Sequence, residues 1–167
     1  MKLFFLAKTL FLSFIASIVI SSTALAFTEF DGKKTSIEAQ LGNGKWTVLE
    51  VWSSDCHACR AHMPDMVKFN GKLDNLRLLG VALDGQPGKA AAQAMINEYN
   101  IPFKTILSNP IELNAWMELN AKESLVGTPT FMIFDPKGKL VGLQAGILPT
   151  TSIERFIQAR TNSKTAS

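Results

Sequence analysis

The sequence predicts an α/β sandwich built on a mixed sheet, and three observations carry that reading. Trp46 to Trp52 (WTVLEVW) is apolar on both faces, the mark of a central strand covered from two sides. Strand-like runs alternate with helix-like segments along the chain. A closing hairpin followed by one more helix supplies the antiparallel edge that makes the sheet mixed.

Phe27 to Ile37 reads as a short hairpin around Asp31-Gly32, and Gly42-Asn43-Gly44-Lys45 as a turn before the central strand. Cys56 to Asn70 reads as a helix interrupted by Pro64, which lacks a backbone donor, and stopped at Asn70-Gly71. Leu76 to Leu83 is a second buried strand. Gly85 to Gly88 then turns into an alanine-rich helix, Lys89 to Asn97, and Phe103 to Leu107 is a short strand. Pro110 suits a first helical position and opens a helix running to near Leu119. Thr130 to Phe134 is a strand, Asp135-Pro136-Lys137-Gly138 a turn, and Lys139 to Gln144 the returning strand. Thr151 and Glu154 have capping-box spacing for a last helix ending near Arg160, with a loose polar tail at 161–167.

The chain has 167 residues, and its first 26 have the three parts of a secretory signal peptide. Lys2 and Lys8 give a basic start, Thr9 to Ile20 is an apolar run, and Ala24-Leu25-Ala26 offers small residues at a cut. The run is too short for a membrane span, which needs about twenty apolar residues. Phe27 after the cut, in place of cysteine, disfavours a bacterial lipid anchor. Removing the leader leaves 141 residues, the length of one domain, expected at 27–160. It also leaves fifteen basic against fourteen acidic residues, which excludes nucleic-acid or anionic-membrane binding driven by bulk charge. The expected setting is an oxidising exported compartment, the periplasm, where a cysteine pair can persist as a disulfide.

The two cysteines stand as Cys56-His57-Ala58-Cys59, directly after a buried strand and a three-residue link. At that spacing both side chains share one helical face, within reach of a disulfide. Cys56 falls where free N–H groups and the helix dipole favour a thiolate, and Cys59 lies one turn inside, able to resolve a mixed disulfide. A structural staple would close so short a loop for only about 2 kcal/mol. Cys56, Cys59 and His62 together could form a partial copper or zinc site, although a closed zinc site wants four ligands. Arg60 after the second cysteine excludes haem attachment. Peroxidase chemistry is disfavoured, because no lone cysteine is set apart from a distant resolver. His62 and Arg60 read as solvent-facing, and Met66 as a core filler.

Trp52-Ser-Ser-Asp-Cys56-His-Ala-Cys59-Arg60 with Pro64, and Val126-Gly127-Thr128-Pro129-Thr130-Phe131, together resemble the active-site helix and cis-proline loop of the thioredoxin-fold superfamily. The resemblance runs from about Phe30 to Gln158. It is strongest to the exported TlpA/DsbE-like (ResA-like) branch, through the N-terminal hairpin, the Arg-x-x-x-Pro helix and a strand-and-helix insertion between Leu83 and Leu125. That branch implies a three-layer sandwich with helices on both faces of the sheet. One departure is Asp55, where the family usually has an aromatic before the first cysteine.

The resemblance also implies roles. Cys56 and Cys59 would be the redox pair, and Pro129 would be cis, setting the Thr128 backbone to pair with a substrate segment. Glu50 stands between Val48 and Trp52 on one strand face, where a carboxylate has a raised pKa and can accept the Cys59 proton. By resemblance this is the position of the superfamily's buried acid. Trp52 is expected to serve both core and docking surface, and His57 to favour the Cys56 thiolate. The expected activity is thiol–disulfide exchange without a cofactor or a metal, as a reductase of client disulfides in cytochrome c or oxidase copper-site maturation. A membrane thiol transporter would re-reduce it, and a monomer is expected. The alternatives are a dithiol oxidase, for which His57 argues, and a copper-carrying module.

Overall fold

The computed structural model describes residues 27–165, with side chains through 162; the leader expected at 1–26 lies outside the described residues. Seven strands form one mixed sheet: β1 (Phe27–Glu29), β2 (Lys34–Thr35), β3 (Trp46–Trp52), β4 (Leu76–Ala82), β5 (Thr105–Leu107), β6 (Thr130–Phe134) and β7 (Leu140–Ala145). Their order across the sheet is β2-β1-β5-β4-β3-β6-β7. β3 and β4 run parallel, as do β4 and β5, while β3–β6, β6–β7, β1–β5 and β1–β2 are antiparallel. The predicted hairpin forms, with Phe27 opposite Thr35, and all seven residues of β3 are buried.

Four helices cover the sheet: α1 (His57–Phe69), α2 (Gly85–Tyr99), α3 (Pro110–Asn120) and α4 (Thr150–Thr165). α1, α2 and α4 pack on the face that holds Trp46, Val48 and Trp52. α3 covers the other, with Leu113, Trp116 and Met117 against Leu49 and Val51. This is the three-layer thioredoxin-like architecture.

Three helix readings need correction. Pro64 does not interrupt α1, which continues through it. Pro64 is exposed, so water can take the carbonyl that its missing N–H leaves free. α2 begins at Gly85 rather than Lys89, because Pro87 falls in the first turn, where backbone donors have no intrahelical partner. α4 begins at Thr150, so Thr151 is inside the helix and the capping box does not form; the N–H groups of Ser152 and Ile153 donate to the Pro149 carbonyl instead. The same helix runs to Thr165, through most of the expected loose tail.

Candidate functional site: a cysteine pair above a buried Glu–His couple

β3 ends at Trp52, and Ser53-Ser54-Asp55 leads to Cys56, the N-cap of α1. Cys56 is extended, and its Sγ accepts the Cys59 backbone N–H at 3.1 Å, the place a capping oxygen takes in other helices. The two cysteines are joined by a disulfide, with Cα atoms 5.2 Å apart. Cys56 is half-buried and Cys59 fully buried, the outer and inner positions that exchange chemistry needs. The link is held from both sides. Ser54 donates its N–H and hydroxyl to the Asp84 carboxylate, and its carbonyl accepts from Arg60 Nη1 at 3.3 Å. Asp55 is exposed and accepts from the Ser53 hydroxyl at 2.6 Å. His57 is exposed on the first turn beside Cys56.

Beneath the helix lies a second feature. Glu50 is fully buried, and its Oε1 stands 3.7 Å from Nδ1 of His62, which is 5 % exposed. The sequence reading placed His62 in solvent. It is instead on the buried face with Cys59, Met63, Met66 and Phe69, its ring edge-on to Phe131 with centroids 5.5 Å apart. Burial pushes the Glu50 carboxyl above the ordinary carboxylate range, and the neighbouring imidazole works against that shift. Neither carboxylate oxygen and neither ring nitrogen has a hydrogen-bond partner among the described residues.

β6 pairs with β3, Thr130 opposite Val51, so the Val126–Pro129 loop lies at the same sheet end as the cysteine helix. The Thr128–Pro129 peptide is cis. Thr130 Oγ1 donates to the Gly127 carbonyl at 2.7 Å, and the Pro129 carbonyl accepts from Gly146 at 2.8 Å. Between this loop and the Ser53–Asp55 link runs a groove of about 640 Å³, floored by Leu83 and Asp84 and walled by Leu125 to Thr128.

Cys56, Cys59, His57, Thr128 and Pro129 therefore gather at one end of the sheet, with Glu50 behind them. Trp52 is fully buried, so the docking half of its expected double role is not realised; it contributes from inside the core. Among the described residues no group of three or more His, Cys, Asp or Glu side chains could hold a metal ion, and the Cys56–Cys59–His62 set does not converge as one. The sequence offers His62 only as a candidate metal ligand or a solvent-facing residue, and its place beside Glu50 was not anticipated. Its signal was the spacing, three residues after Cys59 and four before Met66, one stripe of a helix whose other members are apolar.

The model of the AhpC/TSA family matches residues 20–142. The chain is 25% identical over 126 residues to the Thioredoxin-like protein YneN of Bacillus subtilis, covering 74% of this chain and 69% of that one. It is 28% identical over 113 residues to the Thiol-disulfide oxidoreductase YkuV of the same organism, covering 64% and 71%. A thiol:disulfide interchange protein of the thioredoxin family from Chlorobium tepidum superposes with a TM-score of 0.65 at 22% identity, over 80% of this chain and 90% of that one.

Proposed function

We propose, from the premise that this chain belongs to the AhpC/TSA family and is a thiol–disulfide oxidoreductase, that it works as an exported reductase of client-protein disulfides. One observation carries the reading: a half-buried N-cap cysteine whose sulfur already accepts a helix N–H, bonded to a fully buried cysteine one turn inside. The same N–H and the helix dipole would stabilise the Cys56 thiolate once the pair is reduced.

In the proposed cycle the Cys56 thiolate attacks a client disulfide, forming a mixed disulfide and releasing one client thiolate. Cys59 gives its proton to the Glu50 carboxylate and attacks Cys56 Sγ. The Cys56–Cys59 disulfide forms, the second client sulfur leaves, and two electrons have passed to the client. The client segment would lie in the groove against Thr128 and Pro129, with His57 beside the outer sulfur. The leader pattern at 1–26 supports export to the periplasm, and 27–160 is then the working domain, acting as a monomer. The resemblance to the TlpA/DsbE-like branch supports clients of the cytochrome c or oxidase-maturation type and re-reduction by a membrane thiol transporter. Asp55 next to Cys56 opposes the thiolate and favours a reducing pair over an oxidising one.

The test is a glutathione redox titration of residues 27–167 together with partner trapping on Cys59→Ala. A potential nearer about −270 mV than about −120 mV, and covalent adducts on Cys56, are expected. A potential at the oxidising end overturns the reductase direction. A Cys56→Ser protein that still exchanges disulfides overturns the whole cycle.

A further inference from the structure

We propose that His62 is a positioning residue for Glu50, holding the buried carboxylate able to take the Cys59 proton. This rests on the role given to Glu50 above. A fully buried carboxyl with no hydrogen-bond donor is pushed toward its protonated form, which accepts no proton. The imidazole at 3.7 Å is too far for a hydrogen bond, and when it carries a proton it is close enough for Coulomb attraction to the carboxylate where water is excluded.

Among the described residues, His62 is the one side chain at ion-pair distance from Glu50. Its own helix presents Cys59 one turn before it and the thioether of Met66 one turn after. β3 presents Glu50. β6 presents the Phe131 ring, and the core on this face of the sheet includes Ile153 and Ile157 of α4. β4 has Gly80 opposite Glu50, so no side chain rises there. Near Gly80 the indole Nε1 of Trp52 and Thr105 Oγ1 are themselves without hydrogen-bond partners, and each is within about 3 Å of where a Cβ would stand. Among the described residues Glu50 thus has no ion-pair partner besides His62, and neither nitrogen of that ring has a hydrogen-bond partner.

The experiment separates the two chemical steps with a chromogenic aryl disulfide, which releases one thiolate on attack by Cys56 and a second on resolution by Cys59. Each release is followed against pH in the wild type, His62→Leu, Glu50→Gln and the double variant. In His62→Leu the second release should move its midpoint upward by about one pH unit, about tenfold slower below it, with the first release unchanged. Glu50→Gln should abolish that midpoint, and the double variant should match Glu50→Gln. An unmoved second midpoint in His62→Leu, with Glu50→Gln effective, overturns the inference and leaves the cycle standing. A profile that survives Glu50→Gln overturns the Glu50 role itself. Equal changes in both releases mean a structural defect and also overturn the inference. A measurement on unaltered protein guards against misfolding: the chain has two histidines, so the imidazole signals of the buried one can be followed by NMR. They should shift with the midpoint of the second release, and a different midpoint overturns the proposal.

Discussion

Strand β3 buries all seven of its residues, yet its two faces are built from different chemistry. One face turns Leu49 and Val51 toward α3, where they meet Leu113, Trp116 and Met117; Thr47 Oγ1 is the only unpaired buried side-chain atom there among the described residues. The other face turns Glu50 and Trp52 toward α1, and six unpaired buried polar atoms collect there, on Glu50, His62, Trp52 and Thr105. Each such atom costs about 1–3 kcal/mol when left without a partner. The α3 face has the composition of a core that only has to hold. The α1 face accepts a polar cost beneath the helix that carries Cys59, and what it obtains is a Glu50–His62 pair screened from water.

On the apolar face, lost packing should weaken the fold without touching the exchange chemistry. Leu49→Ala should cost about 2–5 kcal/mol in denaturant unfolding, since the side chain is fully buried in a packed layer. Exchange per folded molecule should not change. A Leu49→Ala protein with an altered pH profile would show that the two faces are not separate in function.

The next effect reads the polar face through stability. Burial holds the Glu50 carboxyl above its ordinary range, so over the window between the ordinary value and the raised one the folded protein binds more protons than the unfolded chain. Stability should therefore fall as pH rises through that window, by at most about 1.4 kcal/mol per pH unit. Glu50→Gln should lack this decline. Thermal unfolding at several pH values checks it, and parallel curves for the two proteins would mean that Glu50 does not titrate as a buried acid.

The same contrast explains what could be read in advance. β3, β6 and the α3 start at Pro110 were legible because each depends on local pattern: an apolar run bounded by turns, or a proline at a first helical position. The cysteine helix and the cis Thr128–Pro129 bond were legible through paired motifs. The start of α2 and the run of α4 to Thr165 were not, since Pro87 and the polar residues after Arg160 look like breakers, although Pro87 falls in a first turn where no intrahelical donor is lost. His62 was misplaced because a lone histidine among charged neighbours reads as surface, while its helical spacing to Cys59 pointed inward. Helical period rather than polarity decides its side, and the ring packs beside Glu50.

The smallest expected effect sharpens the point about distance. Arg60 Nη2 lies 2.5 Å from Glu98 Oε2, much closer than His62 lies to Glu50, but the two side chains are 35% and 51% exposed. In water the Coulomb gain is weak and ordering two long side chains offsets it, so Glu98→Gln should leave the unfolding midpoint almost unchanged. Arg60 would still reach the Ser54 carbonyl and lie 5.5 Å from the Tyr99 ring centroid. The pH midpoint of the second thiolate release should stay where it is. If Glu98→Gln moved that midpoint as far as His62→Leu, surface charge would be setting the protonation of Glu50, and the screening of the couple beneath α1 would count for nothing.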